Sequence, residues 1–168
     1  MGGLGSGNWY RWQAKETVED SLVVAMKDLR KRLFAGAAGT LTWTWTSGSK
    51  SSIGYYVTGT DDWLTVHLHY RWADKEDVNI PVRLEATATQ FNGRRWWFIC
   101  PLIVRGIACN RRAGKLYCPP GAKYFGCRKC HELTYRSCQE AHQSERLFGR
   151  LGFGGEVAKL WERMHRRK

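Results

Sequence analysis

The chain has 168 residues and a formal net charge of +12, enough length for one ordinary domain or two small ones. Its longest apolar run, residues 96–104, is nine residues broken by Cys100 and Pro101, which excludes a membrane-spanning helix of the ~20 residues a bilayer needs. No stretch reads as an export signal, so a cytoplasmic location is expected, where reducing conditions favour metal ligation over disulfides for the six cysteines.

Residues 1–8, mostly Gly, Ser and Asn, read as a mobile tail, with Trp9 and Trp12 as anchors to the body. The same start fits the loose myristoylation pattern, and a plain glycine-rich leader equally well. Thr17 with Asp20 opens a predicted helix whose stripe is Leu22, Val23, Met26, Leu29, Arg30 and Leu33, ended by Gly36 and Gly39. From Thr40 the period changes to two. Leu41, Trp43 and Trp45 alternate with threonines, and Ile53, Tyr55 and Val57 mark the next strand. A third runs through Leu64, Val66, Leu68, Tyr70 and Trp72; a fourth through Val78, Ile80, Val82, Leu84, Ala86 and Ala88. Pro81 cannot donate to a ladder, so the fourth strand is expected at a sheet edge there. This is the pattern of an antiparallel meander, with the early helix packed on one face.

Asn92-Gly93 is a hairpin signal, and the strand that follows, Arg94 to Ile99, runs straight into Cys100. Lys115 to Cys118 is a further short strand, Pro119-Pro120-Gly121 a turn, and Tyr124 to Gly126 a return strand. Ser137 and Glu140 form an S-x-x-E capping box for a helix to about Phe148, and Val157, Leu160, Trp161 and Met164 define a last amphipathic helix. The expected class is α+β, in three parts: a helix-plus-sheet domain (1–92), a zinc-ribbon or treble-clef-like module (93–136) and a basic helical tail (137–168).

Every cysteine falls between 100 and 138. Cys127-Arg-Lys-Cys130 is a C-x2-C pair, and Cys100 and Cys109 precede it by a 17-residue interval. A C-x2-C turn sets two sulfurs on one side of an ion, and two such pairs satisfy tetrahedral Zn2+. The ligands expected are therefore Cys100, Cys109, Cys127 and Cys130 around a structural zinc. Eight residues separate the first two, so residues 101–108 must bulge as a loop; Cys118 and Cys138 stand as substitutes if it does not close. Cys138 with His142 is more simply packing than a metal pair, and His67 with His69 two exposed histidines rather than a second site.

Charge follows the cysteines. Residues 1–99 carry 12 Lys/Arg against 10 Asp/Glu, whereas residues 100–168 carry 15 against 5. Arg94, Arg95, Arg111, Arg112, Lys115, Arg128 and Lys129 crowd the predicted ligands, with Trp96, Trp97, Tyr117, Tyr124 and Phe125 among them. Cations interleaved with aromatics point to nucleic acid, although the aromatics serve equally as a small core. No H-E-x-x-H, G-x-S-x-G or phosphate-loop motif occurs, so no enzymatic activity is expected. A thioredoxin-type reading of Cys127 and Cys130 lacks its βαβ setting, and a nuclease built on His131-Glu132 lacks a further partner.

The run Phe91 to Pro101, Cys109-Asn-Arg-Arg112, Tyr124-Phe-Gly-Cys127-Arg-Lys-Cys130-His131 and Leu133-Thr-Tyr135 resembles a family of uncharacterised bacterial and phage proteins. Its members share a Gly-Ser-Gly-x-Trp leader, here Gly5 to Trp9. The resemblance spans nearly the whole chain, is most specific over 91–140, and implies a zinc-ribbon-like module in a phage or mobile element. The function expected is a zinc-stabilised, basic nucleic-acid-binding protein. Its rival is a protein-binding inhibitor of a host nucleic-acid machine, such as an anti-CRISPR protein, with Trp161 and Met164 as anchors.

Overall fold

A computed structural model describes residues 15–45, 48–60, 63–90 and 93–138. The chain divides into two compact units, Met1–Leu133 and Thr134–Lys168. The expectations for the tail, for Trp9 and Trp12, and for the helices beyond Cys138 lie outside the described residues. In the second unit, residues 136–138 are helical.

The first unit is mostly antiparallel β, which corrects the α+β class expected from sequence. Its frame is a curled six-stranded sheet: β2 (Ala38–Thr44), β3 (Lys50–Thr60), β4 (Trp63–Trp72), β5 (Glu76–Ala88), β6 (Arg94–Ile99) and, after two shorter strands, β9 (Arg112–Ala113). Strands β2 to β6 follow one another across the sheet, which is the meander the period-two pattern requires. Alternation sends Ile53, Tyr55 and Val57 of β3, Leu64, Val66 and Leu68 of β4, and Val78, Ile80 and Val82 of β5 into one buried face. β5 pairs with β4 over residues 76–83 and with β6 over residues 84–88. At Pro81 its second edge therefore has no strand beside it among the described residues, and the missing N–H costs no ladder bond there.

The predicted helix from Thr17 is replaced by a strand. β1 (Leu22–Ala25) leads into one helical turn, α1 (Met26–Leu29), and a 3-10 turn (Arg30–Arg32). The Thr17 signal is real but local: its hydroxyl bonds Asp20 Oδ2 at 2.5 Å and accepts the Asp20 N–H at 3.3 Å. What overrides the helical spacing is a distant partner. β10 (Lys115–Cys118) lies antiparallel to β1, with Val24 opposite Leu116, and the β-branched pair Val23-Val24 suits a pleated ladder better than a helix. The Met26 N–H then bonds the Gly114 carbonyl at 3.0 Å.

This β1–β10 pair completes the core. Val24, Met26, Leu29, Leu116 and Phe125 belong to the same buried cluster as the sheet's inner face. Aromatic side chains with polar tips tie the two layers together: Trp43 Nε1 donates to the Val23 carbonyl (3.0 Å), Trp72 Nε1 to the Ala122 carbonyl (3.2 Å) and the Tyr70 hydroxyl to the Lys123 carbonyl. Each ring is half-buried while its tip remains satisfied, as burial of a Trp or Tyr requires. Tyr124 to Gly126 forms no strand but a single bridge, Gly126 to Tyr117. No helix among the described residues is long and apolar enough to cross a membrane.

Candidate metal centre

Cys100 leaves the end of β6 already buried, and its N–H bonds the Arg111 carbonyl at 2.9 Å. The expected loop after it is a hairpin instead. β7 (Ile103–Val104) and β8 (Ile107–Ala108) pair around Arg105-Gly106, whose φ angles of 52° and 78° make the two-residue type I′ turn that matches strand twist. A hairpin absorbs the eight intervening residues and returns the chain to its start: the Cys109 N–H bonds the Leu102 carbonyl at 2.9 Å. The long spacing that made this pair look doubtful is thus closed by ordinary backbone hydrogen bonding.

The second pair sits in a tight turn. The Cys130 and His131 N–H groups both reach the Cys127 carbonyl, at 3.0 and 3.3 Å, and the Cys127 N–H donates to Cys100 Sγ at 3.2 Å. Cys100 Sγ lies 3.8 Å from Cys130 Sγ, Cys109 Sγ lies 3.8 Å from Cys127 Sγ, and the Cys127 and Cys130 sulfurs are 3.6 Å apart. Four sulfurs bonded at ~2.3 Å to a tetrahedral ion sit ~3.8 Å from one another. The four thiols, all within 4.8 Å of each other, are therefore spaced to hold a metal ion.

Packing without a counter-charge works against the thiolates. Burial pushes the Cys100 and Cys130 thiols up, and the neighbouring sulfurs of Cys127 and Cys109 add to it. For Cys127 burial acts upward too, but hydrogen bonds from the Cys130 backbone and the adjacent thiols outweigh it, and the net direction is down. Cys118, the spare cysteine of the first unit, stays apart from this group. Cys118 is buried in the core with its thiol on the Ala122 carbonyl, and desolvation raises it to about 11. Cys138 is exposed.

His131 follows Cys130 but turns inward. Its Nε2 is buried without a hydrogen-bond partner, and burial holds its pKa below the usual imidazole value against the opposing pull of the Tyr124 and Tyr117 backbone. A Cβ at Gly126 would come within 3.0 Å of that nitrogen and 2.1 Å of Leu102 Cδ1. The bare backbone of Gly126 thus gives both side chains their seats.

The structure sorts the predicted cations into groups. Arg111, Arg128 and Lys129 are exposed on the segments that carry the cysteines. Arg94 and Arg95 occupy the opposite end of β6, where Arg95 stacks 4.1 Å over the Trp97 ring. Arg112 is committed to Glu85 across the sheet, and holds that carboxylate below its usual range through a hydrogen bond. Lys115 is exposed at the start of β10. Of the interleaved aromatics, Tyr117 and Phe125 are core and Tyr124 is exposed.

No protein-family model matches the chain, and no curated protein or solved structure is significantly similar to it.

Sequence reasoning missed two exposed features. Trp63, 70 % exposed, walls a cleft with Arg83 and Arg94; its place on the polar-facing parity of β4 was the available signal. The β7–β8 hairpin was hidden because two-residue strands have no periodicity to read, although the Arg-Gly dipeptide between matching aliphatics marks its turn. His67 proves half-buried, its ring stacked on Tyr56 at 4.4 Å and bonded to the Thr58 hydroxyl, while His69 is exposed.

Proposed function

We propose that the protein binds nucleic acid without catalysing a reaction, and that Cys100, Cys109, Cys127 and Cys130 hold a structural Zn2+ that organises its cationic surface. The observation that carries this reading is the convergence of four thiols at tetrahedral spacing, with exposed Arg111, Arg128 and Lys129 on the same segments. A bound Zn2+ would offset half of the thiolate charge and staple the β7–β8 hairpin to the Cys127–Cys130 turn. Four protein sulfurs leave no open coordination position, which suits a structural ion rather than a catalytic one. Arg111, Arg128 and Lys129 then present cations to backbone phosphates; a phage or mobile-element setting is part of this proposal and rests on the sequence resemblance alone.

Elemental analysis of the purified chain is expected to give one zinc per molecule. Iron at the same stoichiometry would reassign the metal, since an S4 tetrahedron also suits that ion. Fluorescence anisotropy with a duplex should show affinity falling with salt at a log–log slope of about −3, if each of those three side chains neutralises one phosphate. Absence of binding at low salt, or binding indifferent to salt, would sink the reading. Recovery of one stoichiometric protein after nuclease treatment would favour the inhibitor instead.

A further inference from the structure

The β7–β8 hairpin is apolar on both faces. Register sets Val104 against Ile107 on one side and Ile103 against Ala108 on the other. Ile103 is 70 % exposed, Ile107 73 % and Val104 41 %. Exposed single aliphatics are common on proteins, but three β-branched ones on a four-residue ribbon are concentrated surface. A ribbon meant to lie flat on a partner needs one apolar face only. Apolar side chains on both faces suit entry into a slot with walls on either side.

The hairpin is also held for such a task. An isolated two-stranded ribbon is marginal in water, and this one buries neither face. Its order comes from its base: Cys100 and Cys109 belong to the thiol cluster, the Cys109 N–H closes on the Leu102 carbonyl, and Leu102 sits over Gly126. Around this finger the charge is positive. Arg105 stands exposed at the turn, with exposed Arg111, Arg128 and Lys129 on the segments joined at the base. The occupant that offers phosphates outside and flat apolar walls inside is a stacked duplex, where proteins that bend DNA insert aliphatic wedges between base steps. An apolar protein groove matches the aliphatics but makes no use of the positive charge of Arg105, Arg111 and Lys129.

We propose that the β7–β8 hairpin is a wedge that enters duplex DNA, inserting an aliphatic side chain, Ile103 or Ile107, between base pairs and bending the helix. This rests on the nucleic-acid reading and adds a mode of action to it. The cations set affinity, and the aliphatics set the shape of the bound DNA.

The test uses the full-length, metal-loaded chain and a short duplex labelled at both ends. Anisotropy reads affinity and energy transfer reads the end-to-end distance. The wild type is expected to shorten that distance on binding. Ile103→Ser with Ile107→Ser leaves the turn and the cysteines untouched, and both positions are exposed, so metal content and Tm should hold. This variant should keep the salt slope and lose no more than about tenfold in affinity, because unstacking and wedge contacts largely offset, yet leave the duplex straight. Arg111→Ala with Lys129→Ala should lower affinity and flatten the slope by about two. Wild-type binding that leaves the end-to-end distance unchanged, or a serine variant that bends DNA as well as the parent, overturns the wedge while the nucleic-acid reading stands. Absence of any binding at low salt overturns both. A protein partner lost only from the serine variant, with DNA behaviour unaltered, also overturns the wedge and assigns the hairpin to that partner.

Discussion

At the scale of single residues, the candidate centre depends on positions that carry no chemistry. Gly126 is one. A methyl group there would meet Leu102 at 2.1 Å and crowd His131, so the seat that fixes the hairpin's base would have to open. Gly126→Ala is expected to cost about 1–3 kcal/mol, as overpacking does, and to weaken metal retention. Thermal melts and a chelator-competition assay read the two effects, and unchanged values in both would mean Leu102 moves aside freely. Aromatic tips illustrate the same dependence on neighbours. Trp43, Tyr70 and Trp72 are tolerated half-buried because backbone carbonyls of Val23, Lys123 and Ala122 accept their protons. The pairing of Glu85 with Arg112 weighs less, because both groups are exposed and solvent screens them.

At the scale of elements, local signal and distant partner disagree in residues 17–36. The apolar spacing there fits a helix, and Thr17 starts a turn as its type suggests. Yet Leu22–Ala25 is a strand, since β10 offers a ladder and the core beneath needs Val24. Leu116→Ala should therefore act at a distance. It is expected to cost about 2–5 kcal/mol, typical for a fully buried leucine. Hydrogen exchange should speed at residues 22–25 while β3 and β4 amides keep their protection. Uniform loss of protection would show instead that the β1–β10 layer and the sheet open as one unit. The long strands needed no such partner to be legible, because Ile53, Tyr55 and Val57, or Val78, Ile80 and Val82, alternate far enough to declare a face. Strands of two residues, such as β7 and β8, leave no period to detect.

At the scale of the whole molecule, the thiol cluster joins segments that burial alone would hold loosely. The sheet has its own apolar face, whereas residues 101–111 and 127–132 contribute little to the core beyond Cys127. On the proposed zinc reading, chelation is accordingly expected to lower Tm and release amide protection first at residues 103–108 and 127–133, leaving β3 to β5 protected. The stability lost should fall well short of the ~10–16 kcal/mol of peptides that fold only with zinc. Complete unfolding on chelation would show that the sheet depends on the metal as well. The meander, the Cys127–Cys130 pair and the cationic second half were legible from the chain alone, because side-chain alternation, C-x2-C spacing and charge are local properties. It took the folded chain to show that residues 22–25 extend rather than coil, that Cys100 and Cys109 rather than Cys118 join the cluster through a hairpin, and that Arg112 is committed to Glu85. Those outcomes depend on backbone partners ~90 residues away in the chain and on close approaches at Gly126, which no window of neighbouring residues encodes.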